Sequence, residues 1–357
     1  MAAWDVSNID HRRLLLSDDV GWTERVARYG LRGVSVVYGA AARWRRLQYD
    51  RGHRPTHRAS VPVISVGNLT TGGTGKTPVV AEICRRLREA GHRAAIISRG
   101  YGATSGYNDE AMELMRRLPD VPIVQHSDRV AAASIAIDEL EAEVLVMDDG
   151  FQHRRLDRVM DVVVIDATNP FGGGWMLPGG YLREPISSLR RADMVIVTRT
   201  DQVDDGTLSI IDRTIGLHHD SEPLRTVHHP IGVERLHSDE ILLPESLEGR
   251  SVALLSAVGN PDAFERTVLD LGCRVVTRMD LPDHDAFDRT TRDRIRQWVQ
   301  AMPERPSMIL CTSKDFVKLQ TDSINGVDVG HVQIALQFTD SDEPLSRRLA
   351  DVMAQVD

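Results

Sequence analysis

The stretch Val63-Ile-Ser-Val-Gly-Asn-Leu-Thr-Thr-Gly-Gly-Thr-Gly-Lys-Thr77 begins apolar and turns glycine-rich. It closes on Gly-Lys-Thr just before an amphipathic segment, Val79–Ala90. A buried strand, a flexible turn and a helix start in that order form a phosphate-binding loop. Glycines let successive backbone N–H groups curl around phosphate oxygens, and the following helix presents its positive end to them. Gly72, Gly73, Thr74 and Gly75 would cradle a nucleoside triphosphate, with Lys76 reaching its β- and γ-phosphates. The Thr77 hydroxyl would hold Mg²⁺. The strict form of the pattern has a glycine where Thr70 stands. The competing reading is a glycine-rich turn that binds nothing.

Downstream, Val144-Leu-Val-Met-Asp-Asp149 is an apolar strand ending in carboxylates, the arrangement that positions Mg²⁺ opposite such a loop. Asp148 and Asp149 are equivalent at this level. Further short apolar runs, Ala94–Ser98, Val162–Asp166 and Met194–Thr198, alternate with helical periodicity in Val79–Ala90 and Arg129–Glu141. Continuous apolar strands separated by helices predict a parallel sheet covered on both faces. A second set follows: strands Val252–Ala257, Val275–Thr277 and Met308–Cys311, with helices at Asp262–Leu271 and Thr291–Gln300. Ser221–Pro244, rich in His and Pro, reads as irregular and marks the junction. Val332–Phe338 reads as a strand and Pro344–Gln355 as a closing helix.

The chain has 357 residues, which suits two domains, and a net charge of −9, which disfavours nucleic acid as a partner. The first 60 residues run the other way, with eleven Arg against six Asp and Glu. Within them, Val36, Val37, Ala40, Ala41, Trp44 and Leu47 fall on one helical face, flanked by Arg32, Arg43 and Arg46. That pattern fits a helix lying in a membrane surface, and equally a helix packed on its own domain. Of the 43 basic residues only Lys76, Lys314 and Lys318 are lysines. The three cysteines, Cys84, Cys273 and Cys311, show no zinc spacing and read as reduced thiols of a cytosolic protein. The N-terminus carries no signal-peptide pattern, and no apolar run reaches the length of a membrane span.

Longer strings extend these motifs: ISRGYG (Ile97–Gly102), DRVAAA (Asp128–Ala133), DDGFQHRRLDR (Asp148–Arg158), LPGGYLREP (Leu177–Pro185), AVGNPDAFE (Ala257–Glu265), LPDH (Leu281–His284) and TSKDFVKL (Thr312–Leu319). In that order, over about residues 20 to 320, the chain resembles the tetraacyldisaccharide 4′-kinases, the lipid A 4′-kinases of Gram-negative bacteria. The resemblance implies two α/β/α sandwich domains, the first P-loop NTPase-like, joined by a two-stranded linker. It divides the chain into residues 1–222, a P-loop kinase domain with an N-terminal membrane-interface helix; linker strands at 223–244 and 326–340; a smaller α/β domain at 245–325; and a C-terminal helix at 341–357.

The implied reaction moves the γ-phosphate of ATP, with Mg²⁺, to the 4′-hydroxyl of a tetraacylated glucosamine disaccharide 1-phosphate. The implied place is the cytoplasmic face of the inner membrane, as a peripheral protein with a lipid substrate and no obligate protein partner. The resemblance favours the interfacial reading of the N-terminal helix. It places Asp148 and Asp149 in the Mg²⁺ and catalytic centre, with Arg183 and Glu184 beside the transferred phosphoryl group. Thr77, Asp149 and Glu184 become the metal-side residues, Asp109 the base, and His284 its support. His153 is a further candidate for orienting a carboxylate. The segment between Gly102 and Asp109 is shorter than the family's usual length, with Asn108 and Ala111 in place of its Gly and Pro. That departure leaves open a kinase of the same fold acting on another glycolipid; a nucleotide-dependent switch is the remaining alternative.

Overall fold

The computed structural model describes residues 15, 21–100, 108–236, 241–283 and 285–354. The N-terminal half opens with helix α1 (Trp22–Asp50), then β1 (Val63–Asn68), α2 (Lys76–Glu89), β2 (Ala94–Ser98), α3 (Asp109–Arg117), β3 (Ile123–Gln125) and α4 (Arg129–Asp138). It continues through β4 (Val144–Asp148), β5 (Met160–Asp166), β6 (Met194–Thr198), α5 (Asp205–Gly216) and β7 (Leu224–Glu234). The C-terminal half comprises β8 (Ser251–Ser256), α6 (Pro261–Asp270), β9 (Arg274–Asp280), α7 (Arg289–Gln300), β10 (Met308–Cys311), α8 (Ser313–Leu319), β11 (Ser323–Ile324), β12 (Val327–Phe338) and α9 (Glu343–Met353).

All twelve strands belong to one sheet, in the order β3-β2-β4-β1-β5-β6-β7-β12-β10-β8-β9, with β11 paired to β12. Strands β1, β4, β5 and β6 are buried along their whole length, as their predominantly apolar sequences favour. Helices cover both faces of each half, over separate apolar clusters around Ile64 and Val163 in one half and Ile309 and Leu254 in the other. The α/β sandwich expected from the sequence is therefore present.

Between the two parallel halves, β7 and β12 pair antiparallel from His331 opposite Glu234 to Phe338 opposite Thr226. The reading of Ser221–Pro244 as irregular is corrected here: Leu224–Glu234 is an eleven-residue strand. Its inward positions include Thr226 and His228, which are buried but not apolar, so the alternation is hidden from a hydropathy reading. Pro230 and Gly232 sit at a register shift that leaves Ile231 unpaired. After β12 the chain returns to the first half, where Leu345, Leu349 and Val352 of α9 complete the cluster around Ile64.

Helix α1 absorbs the segment Val34–Leu47 and runs 29 residues. Its inner face is made of small and polar groups. Ser35 is buried and its hydroxyl accepts from Gly179 N at 2.8 Å, and Arg32 stacks over Trp175 at 4.9 Å. The predicted apolar face points away: Val36, Val37 and Trp44 are 65%, 71% and 61% exposed.

Candidate active site

The loop after β1 adopts the backbone its glycines allow. Gly72 and Gly75 have φ of 108° and 80°, in the left-handed region. A Cβ on Gly75 would stand 2.9 Å from the His228 ring, so space as well as φ demands glycine. Asn68 Nδ2 donates to Thr74 Oγ1 at 2.9 Å, Thr198 Oγ1 to Thr74 O at 3.0 Å, and Arg199 Nη1 to Gly73 O at 3.1 Å. These bonds fix the loop from the ends of β1 and β6, leaving Lys76 and Thr77 as the first residues of α2.

Strand β4 ends on Asp148, and Asp149 follows with φ of 53°. That turn sends the two carboxylates into different environments. Asp149 lies 3.2 Å from Lys76 Nζ and accepts a two-pronged contact from Arg183 at 2.7 and 2.8 Å. Burial alone would raise its pKa, but Lys76 and Arg183 outweigh it and hold the carboxyl well below its usual range. Asp148 is fully buried, and burial with the nearby Glu110 charge pushes it up to about 7. The sequence left these two aspartates equivalent; their surroundings separate them.

Beneath them the chain is tightly packed. A Cβ on Gly67 would fall 2.6 Å from Phe151 Cβ, so the Asp-Asp-Gly-Phe turn lies directly on β1. His153 is held neutral, at about 4, by burial and by Arg129 and Arg158, with its Nε2 unpartnered.

The acidic pair Asp109-Glu110 opens α3, whose N-cap is Asn108, accepting from Ala111 N at 3.0 Å. Asn108 also accepts from Gln125 Nε2 at 2.7 Å, so this residue in the family's glycine position serves as a cap pinned to β3. Both carboxylates meet lysines of the other half: Lys318 Nζ is 2.6 Å from Asp109, and Lys314 Nζ 3.3 Å from Glu110. All three lysines of the chain thus contact a carboxylate in one region. The sequence singled out Lys314 and Lys318 by scarcity and by their place in TSKDFVKL; their partners could not be read from it, because the bonds span some two hundred residues.

Between the loop and the C-terminal half lies a cleft of about 960 Å³, open mouth included. Gly72–Pro78, Glu110 and His228 line it from the N-terminal half, and Gly259, Asn260, Asp283 and Lys314 from the C-terminal half. Its shape and cation-rich, glycine-lined wall suit a nucleoside triphosphate. Mg²⁺ takes hard oxygen donors, commonly one or two carboxylates with the substrate's phosphates supplying the rest. The Thr77 hydroxyl and the Asp148 and Asp149 carboxylates fit that donor set; among the described residues no group of three or more His, Cys, Asp or Glu gathers to hold a metal by itself. Glu184 pairs with Arg191 at 3.0 Å and lines a second cavity, whereas Thr77 lines the cleft. His284 lies outside the described residues; its neighbour Asp283 lines the cleft.

Fold and loop together define a P-loop nucleotide-binding protein of the α/β class. The chain belongs to the family described as Tetraacyldisaccharide-1-P 4′-kinase, whose profile matches residues 27–354. It is 37% identical over 339 residues to the tetraacyldisaccharide 4′-kinase of Anaeromyxobacter sp. (strain Fw109-5), covering 90% of both chains. It is 38% identical over 314 residues to the enzyme of that name from Elusimicrobium minutum, covering 82% of both. Among solved structures, it is similar to LpxK from Aquifex aeolicus, crystallised in complex with ATP, at a TM-score of 0.72 and 25% identity, over 92% of this chain and 99% of that one.

Proposed function

We propose that this protein transfers the γ-phosphate of ATP to the 4′-hydroxyl of a tetraacylated disaccharide 1-phosphate at a membrane surface. One observation carries the reading. The Lys76–Asp149–Arg183 chain of charges stands at the phosphate loop, and Glu110 of the acidic pair of α3 lines the same cleft as Lys76.

In that reading, the loop's N–H groups and the start of α2 bind the triphosphate, and Lys76 neutralises the charge that develops on the transferred phosphoryl group. Arg183 spreads its charge over the same oxygens while its contact to Asp149 holds it in place. Thr77 and the Asp148–Asp149 pair would hold Mg²⁺, which would supply charge neutralisation of the phosphates. Asp109 takes the proton of the attacking hydroxyl. Lys318 orients that carboxylate until the hydroxyl replaces it as partner. His284 is assigned to the same step on the family's pattern. Closure of the C-terminal half over the nucleotide excludes water, which would otherwise compete with the sugar hydroxyl.

The exposed apolar stripe of α1 supports the membrane-surface part of the reading. No helix among the described residues is long and apolar enough to cross a membrane, so contact from one side is the form proposed. The cytoplasmic face of the inner membrane is where ATP and a lipid acceptor meet. The experiment is transfer from labelled ATP to the acceptor in mixed micelles, with Asp109→Asn compared with the unaltered protein. Asp109→Asn should lower turnover steeply while ATP still binds; full activity would move the base to another carboxylate.

A further inference from the structure

Asp315 stands on the first turn of α8, one residue after Lys314, and is fully buried. A buried carboxylate is costly unless its surroundings use it. Here one oxygen is used twice. Asp315 Oδ2 accepts from the Thr312 hydroxyl at 2.7 Å and from Ala257 N at 3.1 Å. The first bond lies within the cap of α8, where Thr312 Oγ1 in turn accepts from Asp315 N at 3.3 Å. The second crosses to the residue after β8. Strands β8 and β10 are parallel neighbours, with Leu255 opposite Cys311. The bond therefore joins the segments at their carboxyl ends, the edge at which α/β sheets hold ligands. Asp315 Oδ1 is buried without a partner.

Each of the two joined segments reaches the cleft. From Ala257 the chain leads through Val258 and Gly259 to Asn260, and these three line the cleft. A Cβ on Gly259 would stand 3.7 Å from Gly73 N, so this segment lies against the phosphate loop itself. Asn260 Nδ2 donates to Thr168 Oγ1 at 2.8 Å, a further bond to the N-terminal half. On the other side, α8 carries Lys314 and Lys318 to Glu110 and Asp109. The far end of α8 is held separately, by Arg292 donating to Lys318 O and Leu319 O at 2.9 Å each. Burial raises the Asp315 carboxyl to about 6, and the bonds from Thr312 and Ala257, with both lysines, oppose that rise.

We infer that Asp315 is a positioning residue that locks residues 257–260 to α8, so that the wall of the nucleotide cleft and the two lysines holding the base-bearing helix α3 keep one fixed relation. For the part played by α3 the inference rests on the kinase reading above. A residue that merely capped α8 would stabilise the helix and leave ATP affinity untouched, and the test separates the two roles.

The full-length protein is compared with Asp315→Ala and Asp315→Asn in three measurements: calorimetric binding of ATP, steady-state transfer to the tetraacyl disaccharide 1-phosphate in mixed micelles, and thermal midpoint. Asp315→Ala should weaken ATP binding by about tenfold and lower kcat by about 10- to 100-fold, the cost of a lost hydrogen bond to a charged group and of a base misplaced by about 1 Å. Asp315→Asn keeps an oxygen for Ala257 N and the Thr312 hydroxyl, and should recover both quantities to within about threefold. In the Lys318→Met background, the further loss of kcat caused by Asp315→Ala should shrink to about threefold or less, because both changes release the same helix. Thr312→Val keeps the side-chain volume and removes one of the two bonds to the carboxylate. It should move ATP affinity and kcat in the same direction by about threefold, and it decides the matter if Asp315→Ala does not fold. A lowered thermal midpoint with ATP affinity and kcat of the folded protein unchanged reduces Asp315 to a helix cap and overturns the inference. An undiminished loss in the Lys318→Met background also overturns it. If the unaltered protein transfers no phosphate to the acceptor, the kinase reading falls, and the ATP affinities still decide whether Asp315 holds the cleft wall.

Discussion

At the scale of single residues, the site is an arrangement of a few charges whose surroundings decide their roles. Lys76, proposed to meet the phosphates, is held by Asp149. Lys76→Ala should lower kcat by about 10²–10³-fold, the cost of losing one preorganised charge at a developing anion, in a steady-state transfer assay. Asp148 carries the opposite expectation, for stability. Its carboxyl is raised from 3.8 to about 7 in the fold. The folded state binds this proton more tightly than the unfolded chain, so the stability it contributes is complete below about pH 4 and is lost as pH rises through about 7. Asp148→Asn should therefore raise the thermal midpoint by a few degrees near pH 8 and change it little near pH 4, without nucleotide or metal. A rise of equal size at both pH values would contradict the buried-charge account. Much of this residue-level picture was legible from spacing: Gly-Lys-Thr and the Asp-Asp pair have fixed distances to a strand and a helix start. The pairing of Lys314 and Lys318 with Glu110 and Asp109 was not, since only the folded chain brings these segments together.

At the scale of elements, helix α1 shows what periodicity can and cannot say. The sequence identified its apolar face, but not whether that face meets the protein or the outside. The structure decides it through Ser35 and Gly179, whose close approach seats the polar side inward. A helix holding on by small and polar groups while exposing valines and a tryptophan is built to cover its outer face with something apolar. Substituting Val36, Val37 and Trp44 together by Ser should weaken partition to phospholipid vesicles at least about tenfold, since each apolar side chain contributes about 1.5–3 kcal/mol on burial. Unchanged co-sedimentation would contradict the membrane role. Strand β7 is the counterexample. Buried Thr226 and His228, followed by Pro230, do not look like a strand in isolation. They become one because β12 supplies a long antiparallel partner, the tertiary override that local reading misses.

At the scale of the molecule, the two halves meet around α3. Asp109 and Glu110 at its start pair with α8, while near its end Arg116 pairs with Glu234 of β7 and Arg117 donates to Ile334 O of β12 at 2.9 Å. The helix that carries the proposed base is thus positioned by the other half and by both central strands. Lys318→Met removes one partner of a largely buried pair, and should cost about 3 kcal/mol in urea denaturation and reduce kcat, with Lys318→Arg recovering most of both. Stability and turnover equal to the unaltered protein would show that α3 is held without this bond. The central claim, phosphoryl transfer to the 4′-hydroxyl, is tested most directly by product analysis. The full-length protein is incubated with γ-labelled ATP, Mg²⁺ and the tetraacyl disaccharide 1-phosphate, and the lipid is examined by mass spectrometry and ³¹P NMR. One labelled phosphate at the 4′ position, absent with Lys76→Ala, is the predicted result; label confined to inorganic phosphate, or found at any other position, contradicts it.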